Sequence, residues 1–379
     1  MKRIMAVALL WAATFVLHAE IQPPAPSTVN IERTFDRMSP PSGDISIWLQ
    51  ESGGYDTDEP SKWGRNSWVC ESSSDPKHGE CNTKSKWGGN GQTTLPLLFT
   101  EKRSGMRVIL NLIGYNQTHQ RANSCGSSSF SPAQYQVYTA TYVTCTGGGG
   151  NAEAGLTVYI PATELAKLPV GGLWQADLHL KLMEWDPYQF LADFNAHIDL
   201  NVIDPGHIDI YFPDFSSAAP LVELDLRPHG APDESPFAQD ITTLDMCLYD
   251  GYNANSTRYE VLLKDEGSLP SGRATGDFSI YRDGGEKGPL RDRIDYHVQL
   301  MDPETRSLRK VNNNETIVWT QINQNLIRPV RLPAITYPVL CVPAPLVLSV
   351  DKFYVKDKNA GHYRGVLTVI FTPTTPTVD

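Results

Sequence analysis

Apolar and polar residues alternate with a period of two along most of this chain, the spacing that puts every second side chain on one face of an extended strand. Such runs occupy residues 44–50, 95–99, 106–113, 135–143, 156–160 and 173–183, and recur at 221–226, 244–249, 259–263, 278–281, 294–300, 316–319, 346–355 and 364–371. Helical periodicity is scarce: residues 161–168, PATELAKL, with proline at the start, predict one helical turn. The pattern predicts an all-β protein built from many short strands and turns.

The stretch around which the rest is organised is residues 197–212, HIDLNVIDPGHIDIYF. Ile198, Leu200 and Val202 share one face of a strand, and Ile208, Ile210 and Phe212 share one face of the next. Between them Pro205 has no N–H to give to a ladder and Gly206 relaxes the backbone, so pairing is interrupted. Locally this fits a hairpin with a four-residue loop. Each side, however, carries enough strand-like sequence for its own core, and four of the six cysteines precede the break. The break at 204–207 therefore reads as a short linker between two β-sandwiches in tandem.

The end of the chain changes the picture of the second sandwich. Leu367, Val369 and Phe371 point to one face of the last run, yet only TPTTPTVD follows, and its two prolines make it unfit to add a strand. The expectation is a sandwich one strand short, with an open groove at those three residues that an extended segment of another protein fills.

At the other end, Lys2 and Arg3, an apolar run over 4–16 and Leu17-His18-Ala19 have the outline of a secretory signal peptide, residues 1–19, cut before Glu20. The run is too short to span a membrane, and no later segment approaches ~20 apolar residues. Residues 20–43, proline-rich and weakly patterned, are expected to lie over the first domain as extended chain. Removal of the leader leaves 30 basic against 43 acidic residues, a formal charge of −13, which disfavours nucleic acid as a partner.

Six cysteines after an export signal suggest three disulfides. Sequence permits fifteen pairings; the separations favour Cys70 with Cys81, Cys125 with Cys145, and Cys247 with Cys341, each inside one domain. No C-x-x-C pair supports a zinc site, and no metal or cofactor is expected. Asp193, Asp199, Asp204, Asp209 and Asp214 fall on alternating or loop positions of a solvated face, although a glycosidase pair of carboxylates is assembled in space and leaves no local signature. Neither G-x-S-x-G nor H-E-x-x-H occurs. The sequons at Asn116, Asn255 and Asn314 would carry surface glycans only in a eukaryotic secretory pathway. Residues 51–92 are polar and loop-like, yet hold Trp63, Trp68 and Trp87; Trp68, beside Cys70, is expected in the core.

Several stretches resemble the minor tip subunits of class 5 fimbriae, the CfaE/CblD-type pilus adhesins. They are LFTEKRS (98–104), IGY (113–115), VYIPATELAKLPVGGLWQADLHLKL (158–182), LDMCLYDGYNANST (244–257), PVLCVP (338–343) and GHYRGVLTVIFTP (361–373), in order along the chain. The resemblance implies two immunoglobulin-like domains, an adhesin domain at 20–204 followed, after a linker at 205–207, by a pilin domain at 208–379 that lacks its final strand. It implies completion of that domain by a periplasmic chaperone and then by the donor strand of a major pilin, secretion through an outer-membrane usher, and binding of a host-cell receptor from the fimbrial tip.

Of the family's basic receptor cluster, the resemblance places one arginine at Arg65, in WGRNSWVC. Glu184 and Trp185 stand where two further arginines are expected. With one side of the basic patch missing, a protein or a neutral glycan stacking on Trp63, Trp87 or Trp185 fits better than an anionic receptor. The competing function class is a secreted stand-alone β-sandwich, either a carbohydrate-active enzyme or a lectin.

Overall fold

The structure is a computed structural model that describes residues 20–121, 128–145, 150–215, 219–231, 235–266 and 269–378. The expected signal peptide and Cys125 lie outside the described residues. Two immunoglobulin-like sandwiches follow one another; one apolar cluster fills the second, and the cluster of the first runs on across the junction to Cys247, Tyr249, Leu332, Val339 and Cys341.

The first is organised by a long antiparallel pair, Gly172–Glu184 with Gln189–Ile203, in one register from Gly172↔Val202 to Leu182↔Ala192 and shifted by a bulge to Met183↔Phe190 and Glu184↔Gln189. The period-two pattern turns Trp174, Leu178, Leu180 and Leu182 inward against Phe194, Ile198 and Leu200, all essentially inaccessible. Thr93–Glu101, Arg107–Gln120, Glu153–Ile160 and Ile45–Asp56 continue the sheet outward. Trp68 stands edge-on to Phe194 with ring centroids 5.5 Å apart, so the tryptophan beside Cys70 is a core anchor. Residues 162–165 form the expected helical turn.

The proline-rich start corrects an expectation. Instead of lying loosely over the domain, Ser27–Asp36 is a ten-residue strand that pairs in parallel with Gln189–Ile203, from Phe194↔Ser27 to Ile203↔Asp36. The prolines of residues 20–43 flank the strand, Pro23, Pro24 and Pro26 before it and Pro40 and Pro41 after it, so no ladder donor is missing from the strand itself.

After Ile203 the chain does not turn back as a hairpin. Pro205–His207 make a single 3-10 turn, and Asp209–Tyr211 pairs with Cys247–Tyr249 in the second sandwich. The turn is pinned at both ends. Asp204, 1% exposed, accepts from Arg37 Nε at 2.8 Å, its Oδ1 lies 2.7 Å from His207 Nδ1, and its backbone N–H donates to Gly251 O.

Cys70–Cys81 and Cys247–Cys341 are bonded as expected, with Cα separations of 5.2 and 5.7 Å. Cys145 is also disulfide-bonded. The sequons at Asn116 and Asn255 are buried, which corrects their reading as surface positions; Asn116 donates to the carbonyls of Gln136, Val137 and Thr139.

Where the sandwiches meet, polar groups are buried together. Glu101, fully inaccessible, accepts from Asn253 Nδ2 at 2.7 Å and Asn255 Nδ2 at 2.8 Å, and from the backbone N–H groups of Arg103 and Ser104 and the Ser104 hydroxyl. The two asparagines are presented by a loop wound around Asp250, whose carboxylate accepts from the N–H groups of Tyr252, Ala254 and Ser256. Asn253 and Ala254 adopt left-handed backbone, φ +55° and +59°. Asn253 Oδ1 in turn accepts from Leu340 N, and Arg103 reaches the carbonyls of Asn323 and Asn325. Gly171 packs so close that an added Cβ would overlap the Gly251 carbonyl oxygen.

Glu101→Ala removes the acceptor of the buried Asn253 amide, one of the acceptors of Asn255 Nδ2, which keeps the Tyr252 carbonyl, and the acceptor of two loop N–H groups, at about 1–3 kcal/mol for each group that water cannot reach. Urea unfolding of the variant is expected to show a loss of at least about 3 kcal/mol; a loss below about 0.5 kcal/mol, the range of a neutral surface change, would remove this network from the account.

Candidate functional site

Among the described residues no group of His, Cys, Asp and Glu could hold a metal ion. Among the described residues a serine–histidine–carboxylate line is formed: Ser128 Oγ lies 3.2 Å from His119 Nε2, and His119 Nδ1 lies 2.5 Å from Glu153 Oε2. That same oxygen is 2.6 Å from Arg121 Nη2, and the imidazole lies flat on Phe130 with centroids 4.1 Å apart. Arg121 also covers the Tyr55 ring at 3.6 Å. The arrangement is that of a buried ionic strap between strands.

Burial raises the Glu153 pKa, but hydrogen bonds from His119 and Ser52 and the Arg121 guanidinium outweigh it and hold the carboxyl below its ordinary 4.5. A carboxylate depressed by folding adds stability that is complete above its unfolded value and fades as pH falls through the folded one. The melting temperature is therefore expected to fall as pH drops below 4.5, and Glu153→Gln to flatten that slope; identical acid profiles for the two proteins would remove Glu153 as a source.

The sequence-derived surface residues divide. Trp87, 53% exposed, is carried by the short strand Lys86–Trp87, which pairs in parallel with Thr139–Ala140. Trp185 follows Glu184 at the tip of the long antiparallel pair, and its ring lies 5.4 Å from that of Trp87 at 44°. These two, far apart in the chain, form one surface. Trp63 ends the turn Pro60–Trp63 and is half-buried, with Lys62 Nζ 4.5 Å above its ring. Arg65 is half-buried and donates through Nε to Ser61 O at 2.5 Å. The register Met183↔Ser67 brings the chain around Arg65 to the end of the sheet that carries Trp185.

Glu184 departs from its expected place at the surface. It is 4% exposed and accepts from Gln189 Nε2 at 2.6 Å. Strand alternation turns it inward while Trp185, one residue on, faces out. Sequence reasoning missed Tyr188 and Phe190, 48% and 51% exposed in the same hairpin. The signal was present in WDPYQF, an aromatic-rich turn around a proline.

The second candidate feature is the unfinished edge. Leu367–Pro373 pairs with Arg258–Asp265 on one side, from Tyr259↔Pro373 to Asp265↔Leu367. Among the described residues its other edge has no partner strand. Leu367, Val369 and Phe371 are half-buried against the second core, Phe371 edge-on to Tyr259 at 4.8 Å. No strand forms in the described tail, 374–378.

Residues 221–226, expected as a strand, are extended without being in any sheet. Val222, Leu224 and Leu226 pack on the second core while Leu221, Glu223 and Asp225 face solvent, so the alternation is right and only the partner is missing. Between this segment and residues 353–366 lies a groove of about 980 Å³, with Ile280, Ile294, Phe353 and Tyr363 in its walls.

Models of CfaE, a fimbrial subunit of CFA/I, match this chain in two parts, the first domain over residues 16–205 and the second domain over residues 208–375. The chain belongs to the CfaE family of CFA/I fimbrial subunits. The family member from Escherichia coli is 30% identical over 380 residues, which cover 96% of this chain and 95% of that protein. Among solved structures, the crystal structure of CfaE, the adhesive subunit of the CFA/I fimbria of enterotoxigenic E. coli, superposes with a TM-score of 0.78 at 27% identity, over 93% of this chain and 94% of that one. A chaperone–tip adhesin complex of CFA/I fimbriae gives 0.61 at 26%, over 93% and 98%. The CfaE-type resemblance drawn from the sequence motifs thus holds over both sandwiches.

Proposed function

We propose that this chain is a non-enzymatic adhesin carried at the tip of a cell-surface fimbrium and assembled by donor-strand complementation. The observation that carries the reading is the open edge of the second sandwich. Among the described residues Leu367–Pro373 has a sheet neighbour on one side only and 221–226 has none, and a groove walled in part by Ile280, Ile294, Phe353 and Tyr363 lies between the latter and residues 353–366. A single strand with apolar residues at alternate positions satisfies both needs at once. It donates and accepts along the free edge, and it covers apolar surface at about 25 cal/mol per Å².

In this reading a periplasmic chaperone holds the edge first, the N-terminal segment of a major pilin replaces it, and an outer-membrane usher exports the product. The relative described as part of a chaperone–tip adhesin complex supports the chaperone step. The domain boundary falls at 205–207, and the first domain meets a host-cell receptor near Arg65 and the Trp87–Trp185 pair. A stand-alone β-sandwich enzyme or lectin has no use for the free edge.

Fusing the donor segment of the cognate major pilin to the C-terminus is expected to raise the melting temperature by about 10 °C, the effect of roughly 3–5 kcal/mol on a domain of this size. Val369→Asp in the fused chain should cancel most of the gain. An unfused chain equally stable, and expressed equally well without chaperone, would contradict the assembly reading.

Among the described residues Arg65 has no carboxylate partner, so its guanidinium keeps donors for a ligand. Arg65→Ala is expected to weaken whole-fimbria adherence by roughly 5-fold or more, as a contributing interface arginine does, with unchanged incorporation into fimbriae. Unaltered adherence would move the receptor site away from this end of the sheet.

A further inference from the structure

Two indole rings from distant parts of the chain lie together at the surface and are held there from several sides. The Trp87 loop is anchored by Lys86 N to Tyr138 O at 2.9 Å and Gly88 N to Ala140 O at 3.0 Å. It is tied to the Trp185 hairpin by Ser85 N donating to Tyr188 Oη at 3.2 Å, and to the strand Ser67–Cys70 by a 2.7 Å contact between the Ser85 and Ser67 hydroxyls. The hairpin is braced from beneath by Glu184 and Gln189. Leaving indole surface in water is unfavourable, and here the surrounding bonds prevent the rings from collapsing into the core. A rigid aromatic surface of this kind loses little entropy when a ligand arrives.

Resting on the adhesin reading, we infer that the Trp87–Trp185 pair binds a hexose unit of an uncharged host-surface glycan. Three features select this class. The rings meet at 44°, so they offer two faces at an angle on which the C–H face of a pyranose can rest. Beside them Tyr188, half exposed, brings a hydroxyl that accepts from Ser85 N, a polar group at the edge of the aromatic surface of the kind that meets a sugar hydroxyl.

Charge also argues against an acidic sugar. Arg65 spends Nε on a backbone carbonyl, Lys86 lies over the Tyr138 ring at 5.6 Å, and the exposed Asp186 follows Trp185 directly. No pair of cations converges on the tryptophans among the described residues, as recognition of a sialic carboxylate would require.

The test is adherence of assembled fimbriae to erythrocytes and epithelial cells that are untreated, treated with sialidase, or oxidised with periodate. Binding is expected to survive sialidase and to be lost after periodate. Trp87→Ala and Trp185→Ala should each weaken it about ten-fold or more, with fimbrial incorporation and melting temperature unchanged, while Trp87→Phe retains most of it because a ring face remains. Loss of binding with sialidase overturns the uncharged class. Binding that survives periodate overturns the glycan. Full binding by both alanine variants overturns the site while leaving the adhesin reading intact, and wild-type fimbriae that adhere to neither cell type overturn both.

Discussion

A carboxylate with no access to water is tolerable only where enough donors replace the lost hydration, and Glu101 sits at that limit between the two sandwiches. Its donors come from both domains, so the hydrogen bonds that satisfy it also hold one domain against the other. Much else follows from this arrangement. The loop at Asp250 must adopt left-handed backbone to aim Asn253 and Asn255; Gly251 and Gly171 must lack side chains to let the backbones approach; and Cys247–Cys341 fixes the strands from which the loop springs. The short 205–207 turn can then be brief because it does not hold the domains by itself.

Several motifs that carry the family resemblance turn out to be parts of this one junction. LFTEKRS supplies Glu101 and Arg103, LDMCLYDGYNANST supplies Asp250 and the asparagines, PVLCVP supplies Leu340 and Cys341, and the glycines of PVGGL make the close approach. The surface around Trp87 and Trp185 is held differently, by backbone bonds of the Trp87 strand together with the Ser67, Ser85, Tyr188, Glu184 and Gln189 side chains, all of them within the first domain.

This distinction explains what the chain disclosed in advance. Alternation found the strands of both cores, and the cysteine separations found Cys70–Cys81 and Cys247–Cys341, because these signals are local or depend on domain membership alone. The parallel strand Ser27–Asp36 was not legible: its partner lies in Gln189–Ile203, and no short-range pattern encodes parallel pairing between distant segments. Residues 221–226 carried a true strand pattern with no strand to meet. At the candidate surface, Trp87 was legible as an aromatic in polar sequence and Trp185 through the resemblance, but their contact was not; Glu184 was placed at the surface by the resemblance alone, which carries no information on the inward turn of its side chain.

The pairing of Ser27–Asp36 with Gln189–Ile203 also has a temporal consequence. The first long strand to be synthesised finds its neighbour only when the last strand of the same domain exists, Ser27 meeting Phe194 after 167 intervening steps of chain. Contacts of such separation close slowly, so the domain remains an incomplete sheet for nearly the whole of its synthesis. The Cys70–Cys81 disulfide, across a separation of only 11, is the opposite extreme, a closure that costs little chain entropy whenever oxidation becomes available. The topology thus joins the most local constraint of the domain to its most distant one.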